Sequence, residues 1–120
     1  MKAIMPVKNN NGLDAELNPR FGRTPFFAVV DIDNEEVEFV DNSAQNAASG
    51  AGVKAAQIVA DQKADIMFTP RIGPRAFTGL NKLNMKIYLA EGSIKDAIEA
   101  YKNDELEEAD EPTNEAKHEH

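Results

Sequence analysis

The sequence predicts an α/β domain with a mixed β-sheet and helices on both faces of the sheet. Two observations support this fold class. Apolar and alternating strand patterns form an early hairpin within residues 1–42, and short apolar runs then alternate with helical patterns over residues 53–103. A hairpin followed by strand–helix alternation requires antiparallel and parallel pairs in one sheet. With 120 residues, the chain suits one domain with one core.

The first half of the chain predicts three strands. Residues 2–7 (KAIMPV) read as a short buried strand, and the polar, turn-rich residues 9–19 read as a loop. Residues 26–33 (FFAVVDID) form an apolar, β-branched run that ends in aspartates. Residues 37–42 (VEFVDN) alternate between apolar and polar, so they complete a hairpin that has one wetter face.

The second half predicts helices separated by short strands. Helical spacing of apolar residues begins at Val53 and runs to residue 64, and residues 65–69 and 85–90 read as strands. A helix over residues 73–83 has Gly73 as its N-cap and Pro74 at its first position, where a missing N–H costs nothing. A last helix over residues 92–103 has Ser93 as N-cap and Asp96 as its acidic partner. The right-handed crossover rule makes the strand at 65–69 parallel to its neighbours.

The charge is unevenly distributed. Eight acids and one lysine follow Asn103, which gives that segment a charge of −7, whereas residues 1–103 carry a charge of −1. The sequence therefore predicts a single domain over residues 1–103 and a disordered acidic tail over residues 104–120. A nearly neutral body disfavours nucleic-acid binding. No apolar run is long enough for a membrane span, and neither a signal peptide nor a cysteine is present, so a cytoplasmic location is expected.

The arginines are the most informative residues. The chain has only four of them, Arg20 and Arg23 in NPRFGRTP and Arg71 and Arg75 in TPRIGPRA. Both stretches are Gly/Pro-rich loops, and the topology brings both to one edge of the sheet. The planar guanidinium suits carboxylate, phosphate and other oxyanions, which favours a ligand site. The alternative is that these arginines brace loop carbonyl groups.

Backbone features around the arginines strengthen the hypothesis of an anion site. The helix beginning near Pro74 directs its N–H groups and positive dipole end toward the second arginine loop, and Gly73 allows close approach of a ligand. Gly50 and Gly52 open the preceding helix and could form another nest of N–H groups, although a flexible linker is an equal alternative. Phe21 is either an exposed loop aromatic or, more commonly for such a residue, a lid on the core.

The sequence is poor in catalytic constellations. No Ser/His/Asp set, cysteine nucleophile or phosphate-binding P-loop can be argued, so we expect a binding protein and not an enzyme. His118 and His120 stand alone in the acidic tail, where an H-x-H pair offers at most a weak metal site. A nuclease would need carboxylates converging on the centre of the sheet, and the first strand offers none.

Three blocks of the sequence resemble the dinitrogenase iron–molybdenum cofactor biosynthesis family, which includes the NifX and NafY proteins and the C-terminal region of NifB. The blocks are RFGRTPFFAVVDID, GAGVKAAQIVADQKADIMFT and IGPRAFTGLNKLNMKIYLA, in order and at the expected spacing. The resemblance covers about residues 1–106. It implies a three-layer fold with a five-stranded mixed sheet of ribonuclease H-like topology. It also implies a non-enzymatic carrier of iron–molybdenum cofactor or its iron–sulfur precursors, which acts with protein partners in cofactor assembly.

The resemblance assigns the cofactor to three loops. The cofactor-facing residues of the family correspond here to Arg20, Phe21 and Gly22, to Gly50 and Gly52, and to Ile72, Gly73 and Pro74. The remaining arginines, Arg23, Arg71 and Arg75, are added as predicted site residues. Family members often carry histidine before the glycine loop or cysteine near the I-G-P block, and this chain has neither there. We therefore expect electrostatic holding of an anionic cluster without Cys or His ligands. A binding or regulatory module for another oxyanion metabolite, in an organism without nitrogen fixation, is the alternative.

Overall fold

The computed structural model describes residues 1–113 and confirms a mixed α/β fold. The strands are β1 (Lys2–Val7), β2 (Phe26–Asp31), β3 (Val37–Asp41), β4 (Ile66–Thr69), β5 (Lys86–Leu89) and β6 (Glu107–Glu108). The helices are α1 (Ala51–Asp61), α2 (Pro74–Asn81) and α3 (Ile94–Lys102). Within the described residues, no helix is long and apolar enough to cross a membrane.

All six strands form one sheet in the order β3-β2-β1-β4-β5-β6. The predicted hairpin is confirmed, because β2 pairs antiparallel with both β1 and β3. Strand β4 pairs parallel with β1 and with β5, as the crossover rule predicts. The two parallel pairs place the loops that follow β1 and β4 at the same edge of the sheet.

The predicted strand count of five is wrong, because the acidic segment contributes a sixth strand. Residues Glu107 and Glu108 pair antiparallel with β5, and the Ala109 N–H donates to the Ile87 carbonyl over 2.7 Å. This pairing uses backbone groups while both glutamates stay exposed, so it leaves no apolar pattern in the sequence. Residues 104–113 belong to the segment that the sequence predicts to be a disordered tail, and the structure describes them with Glu107 and Glu108 in β6. The rest of that tail, including His118 and His120, lies outside the described residues.

The sheet separates two apolar clusters, which gives a three-layer arrangement. Helix α3 packs on one face through Ile94, Ala97 and Ile98. Helices α1 and α2 pack on the other face, where Phe77 is buried, as expected of a core residue. The described residues form a compact body with a radius of gyration of 13.1 Å, in line with one small domain.

The helix starts agree with the predicted ones at two of three helices. Gly73 and Pro74 are the N-cap and first residue of α2, and Ser93 caps α3 together with Asp96. Helix α1 instead begins at Ala51, two residues before the predicted Val53. Gly50 has φ +70°, a left-handed conformation that ends the preceding loop and lets the helix start within the small residues.

Candidate functional site

A cleft lies where the two arginine loops meet the N-termini of α1 and α2. It has a volume of about 600 Å³. All eleven predicted site residues line it: Arg20, Phe21, Gly22, Arg23, Gly50, Gly52, Arg71, Ile72, Gly73, Pro74 and Arg75. The structure thus brings together residues that are up to 55 positions apart in the sequence. It adds five further lining residues, which are Pro19, Ala51, Val53, Ala76 and Thr113.

Each arginine loop is fixed by one buried apolar side chain. Phe21 is 5% exposed and packs against Phe27 with a ring-centroid distance of 5.4 Å, so it is a lid on the core. Ile72 is 1% exposed and belongs to the same apolar cluster. Since these anchors lie directly beside Arg20 and Arg71, the core determines where both arginine backbones sit.

The buried polar side chains of residues 1–113 all lie in or beside the two arginine loops and form hydrogen bonds to the backbone there. They are Thr24, Asn42 and Thr69. Asn42 Nδ2 donates to the Gly22 carbonyl over 3.1 Å and to the Thr24 carbonyl over 2.8 Å, and Thr69 Oγ1 donates to the Arg71 carbonyl over 2.7 Å. Thr24 Oγ1 bonds the Val7 carbonyl over 2.7 Å. Buried polar groups cost free energy unless they are paired, so this placement specifies the shape of both loops.

Sequence reasoning missed these three polar residues and Thr113 as parts of the site. Thr24 and Asn42 flank strands β2 and β3, where a polar residue reads as an ordinary strand end. Their burial depends on contacts across about 18 positions of the chain, which no local pattern reveals. Thr113 falls in the segment that the sequence predicts to be disordered, because the acidic residues around it show no apolar periodicity.

Gly22 allows two backbones to touch at the wall of the cleft. A Cβ atom at Gly22 would lie 2.9 Å from the Gly52 nitrogen and 3.1 Å from the Ala51 carbonyl carbon. Real Cβ atoms essentially never approach so closely, and the opposing atoms are backbone atoms that cannot rotate away. The arginine turn at Phe21–Arg23 is therefore packed directly on the first turn of α1.

Both helix N-termini at the cleft lack side-chain caps. Neither Gly50 at α1 nor Gly73 at α2 provides a capping hydrogen bond, and no acidic residue occupies the first turn of either helix. The first N–H groups of a helix have no partner within the helix and carry its positive dipole end. Within residues 1–113, the cleft thus receives two helix ends that can donate to an anion.

The four arginines differ in what holds them. Arg23 Nη1 donates to the Gln45 carbonyl over 3.1 Å and the Ala47 carbonyl over 2.7 Å, so this side chain braces the loop before α1. Within the described residues, the guanidinium groups of Arg20 and Arg75 make no hydrogen bond or ion pair, and both residues are exposed. Bracing of loop carbonyls therefore accounts for Arg23 but not for Arg20 or Arg75.

The position of Arg75 is electrostatically unfavourable for its own helix. It lies in the first turn of α2, where the dipole favours acidic side chains and disfavours cations. Pro74 at the first helical position contributes no N–H, so the donors closest to Arg75 are its own amide and that of Ala76. The cation and the helix end together concentrate positive charge that folding alone does not require.

A smaller cavity beside the cleft is less suited to an anion. It shares Pro19 and Arg71 with the cleft and has a volume of about 320 Å³. Two of its lining residues, Glu16 and Glu91, are acidic, and Lys8 is paired with Glu16 over 3.4 Å. Excess positive charge is therefore a property of the larger cleft.

The described residues offer no Cys or His side chain for direct ligation of a metal. The chain contains no cysteine, and both of its histidines lie beyond residue 113. Residues 1–113 contain no cluster of three or more His, Cys, Asp or Glu side chains that could hold a metal ion. The donors around the cleft are guanidinium and backbone N–H groups, which suit the outer atoms of an anion.

Comparison with solved structures finds the same fold in proteins of related sequence. The apo form of the orange protein from Desulfovibrio gigas superposes with a TM-score of 0.87 and 31% identity, over 94% of this chain and 96% of that one. A Thermotoga protein proposed to be a NifB protein gives a TM-score of 0.79 at 27% identity, over 95% and 97% of the two chains.

Sequence comparison points to the same family. An uncharacterized protein of Methanocaldococcus jannaschii is 32% identical over 111 residues, which cover 89% of this chain and 90% of that protein. The model of the family described as "Dinitrogenase iron-molybdenum cofactor" matches residues 1–104, and so spans both arginine loops and all three helices. The resemblance drawn from the three sequence blocks is thereby confirmed: the chain belongs to the dinitrogenase iron–molybdenum cofactor family.

Proposed function

We propose that the cleft binds an anionic metal–sulfur cluster, either iron–molybdenum cofactor or one of its iron–sulfur precursors, and that the protein carries this cargo without catalysing a reaction. The observation behind the proposal is the convergence of two arginine loops and two helix N-termini without side-chain caps on one cleft. Membership of a family described by this cofactor supplies the class of ligand.

The donors fit the outer surface of such a cargo. Sulfide and carboxylate atoms on a cluster accept hydrogen bonds from guanidinium and backbone N–H groups. The guanidinium groups of Arg20 and Arg75 have no partner among residues 1–113, so they can donate without breaking a contact of the fold. Non-covalent holding by charge and hydrogen bonds also suits a carrier, because cargo must leave again for a protein partner in cofactor assembly.

A second candidate is a carrier or regulator that binds a phosphorylated or carboxylated metabolite. The absence of cysteine and histidine from residues 1–113 favours it, since nothing in this body selects a metal by soft ligation. The same arginine and N–H groups would then face phosphate or carboxylate oxygens. A cytoplasmic location and a ribonuclease H-like strand topology stay predictions under both candidates.

Anaerobic titration separates the two candidates. Isolated iron–molybdenum cofactor is added to the full chain, and the cluster's visible absorption is followed through gel filtration. Co-elution of colour with the protein supports the metal–sulfur carrier. Free elution of the cluster, combined with thermal stabilisation by phosphate or citrate, would favour the metabolite module instead.

The double variant Arg20→Ala/Arg75→Ala tests whether these arginines hold the cargo. A charge-assisted hydrogen bond contributes about 1.5–3 kcal/mol, so losing one from each side chain should weaken binding at least about a hundredfold. The melting temperature should stay near that of the wild type, because neither side chain has a partner in the described fold. Arg23→Ala is the matched control, and it should lower the melting temperature because it frees the Gln45 and Ala47 carbonyl groups. Unchanged cargo affinity in the double variant would contradict the assignment.

A further inference from the structure

The loop that joins β4 to α2, residues 70–73, forms one wall of the cleft. Thr69 Oγ1 donates to the Arg71 carbonyl over 2.7 Å, and the Ile72 side chain is packed in the core. The backbone of Ile72 is held by Thr113, which lies 41 positions further along the chain and also lines the cleft. Because this loop carries an arginine and leads into an uncapped helix, its conformation determines how the cleft presents both.

Thr113 supplies the hydrogen-bond partners of the Ile72 backbone. The Thr113 N–H donates to the Ile72 carbonyl over 2.9 Å, the Ile72 N–H donates to Thr113 Oγ1 over 2.9 Å, and this hydroxyl donates to the Ile72 carbonyl over 3.0 Å. Among residues 1–113, no other group forms a hydrogen bond with the N–H or the carbonyl of Ile72. Since Ile72 is 1% exposed, water cannot replace the hydroxyl unless the loop changes its conformation.

The contact comes from a segment outside the residues that the family model matches. That match ends at residue 104, and of the described residues after Ala76, Thr113 alone lines the cleft. Strand β6 brings the chain to this place. The Ala109 N–H donates to the Ile87 carbonyl over 2.7 Å, and only residues 110–112 separate Ala109 from Thr113. The edge of the sheet therefore places one hydroxyl at the wall of the cleft.

A loop that is fixed in advance favours ligand binding. It avoids the loss of conformational entropy that a mobile loop incurs when the ligand binds. Without the Thr113 hydroxyl, the Ile72 N–H would need another partner, and a shift of residues 70–73 would be needed to expose it to water. Such a shift would move Arg71 and the N-cap Gly73 relative to the first arginine loop.

We propose that Thr113 is a positioning residue of the anion site, whose hydroxyl holds Ile72, and thereby residues 70–73, in the conformation that receives the cargo. The contact between Thr113 and Ile72 and the binding of cargo then stabilise each other, because both require the same loop conformation. That the loop receives cargo rests on the proposed function, whereas the hold of Thr113 on the loop does not.

The hold is tested by hydrogen exchange on the full chain without any ligand. Thr113→Val removes the hydroxyl and keeps the shape of the side chain. The Ile72 amide should then exchange at least about tenfold faster, because it loses its acceptor. The amide of Phe68, buried in β4, reports global unfolding and should change far less. Thr113→Ser restores the hydroxyl and should restore most of the protection of Ile72.

Thr78→Val is the matched control for the lost hydroxyl. Thr78 is exposed on α2, and its side chain forms no hydrogen bond within the described residues. This variant should leave the exchange of Ile72 and Phe68 unchanged. Wild-type protection of Ile72 in Thr113→Val would overturn the proposal, and so would equal acceleration of Ile72 and Phe68, which would show a general loss of stability.

Ligand affinity separates positioning from a purely structural contact. Isolated iron–molybdenum cofactor and inorganic phosphate are the two probes, and both are titrated well below the melting temperature. Thr113→Val should weaken binding of the probe by about three- to tenfold, whereas Thr113→Ser and Thr78→Val should bind like the wild type. Bound probe should also slow the exchange of the Ile72 amide in the wild type. A structural contact alone would lower the melting temperature without changing affinity, and that result would contradict the positioning role.

The two probes also distinguish this proposal from the proposed cargo. Phosphate binding that depends on Thr113, without binding of the cofactor, would refute the proposed cargo and support the positioning role. If the wild type binds neither probe, the cleft is not an anion site, and both the proposed cargo and the positioning role are overturned.

Discussion

The N-termini of α2 and α3 have nearly the same backbone geometry, but only α3 has a side-chain cap. The N-cap of α2, Gly73, has φ −76° and ψ 168°, and that of α3, Ser93, has φ −85° and ψ 168°. Ser93 Oγ accepts from the Asp96 N–H over 3.1 Å, and Asp96 Oδ2 accepts from the Ser93 N–H over 3.0 Å. Helix α3 is thus closed by its own side chains, whereas α2 has no such cap.

This difference shows that the open end of α2 is not imposed by the backbone. A Cβ atom at Gly73 would have nothing within 4 Å, and its φ is one that any residue adopts, so a capping serine or aspartate would fit. The self-capped helix lies outside the cleft, and the two uncapped helices border it. The helices α1 and α2 therefore lack the stability that a side-chain cap would add, and their uncapped N–H groups lie at the candidate ligand site.

The largest expected effect comes from breaking the packing that holds α1 at the cleft. Gly22→Ala places a Cβ atom 2.9 Å from the Gly52 nitrogen, so the arginine turn and the start of α1 must separate. We expect a loss of about 1–3 kcal/mol in the free energy of unfolding, measured by urea denaturation.

Gly79→Ala is the matched control for this substitution. Its Cβ would meet only the Ala56 Cβ at 3.8 Å, an ordinary contact, within helix α2. Alanine should therefore stabilise the fold by about 0.5–1 kcal/mol. Equal effects of the two substitutions would show that the contact between turn and helix is not specific.

Removing the cap of α3 should have a smaller effect, confined to stability. Ser93→Ala deletes the acceptor of the Asp96 N–H and should cost about 1 kcal/mol, which lowers the melting temperature by about 4 °C. Affinity for cargo should not change, because α3 packs on the other face of the sheet. A loss of affinity in this variant would contradict the separation of the two regions.

The smallest predicted effect is a dependence on acid pH. Hydrogen bonds from the backbone and side chain of Ser93 hold the pKa of Asp96 below its ordinary value of 3.8. The carboxylate therefore contributes stability above about pH 4, and this contribution is lost as pH falls through the lowered pKa. Urea denaturation between about pH 5 and pH 2 should show the loss in the wild type and a weaker one in Ser93→Ala, where one of these bonds is absent. Parallel pH profiles would refute the role of the capping box.

Local patterns in the sequence were sufficient for strands β1 to β5, for the presence of all three helices and for eleven of the residues that line the cleft. Gly73, Pro74 and Ser93 mark helix starts through rules that act within a few residues, and the arginine pairs stand out because the chain has no others. The hairpin and the parallel order of β1, β4 and β5 follow from general rules of chain topology.

Features that depend on distant contacts were not accessible in this way. Strand β6 is held by backbone pairing with β5, and Thr113 is held by Ile72, 41 positions away, so neither leaves a pattern in its own segment. The burial of Asn42 and the bracing role of Arg23 likewise depend on which loops meet in space. Composition alone could not distinguish Arg23 from Arg20 and Arg75.

The central claim is that the uncapped N-terminus of α2 binds the cargo, and adding a side-chain cap at Gly73 tests it most directly. Gly73→Asp adds the missing cap to α2 and a negative charge at the cleft, and Gly73→Ser adds the cap alone. Gly73→Ser should raise the free energy of unfolding by about 0.3 kcal/mol, and the charge of Gly73→Asp should bring its gain to about 0.5–1 kcal/mol. Affinity for isolated iron–molybdenum cofactor should fall modestly in Gly73→Ser and at least about tenfold in Gly73→Asp, since the cap and its charge compete with the cargo. A stabilised Gly73→Asp protein that binds the cofactor as tightly as the wild type would contradict the account.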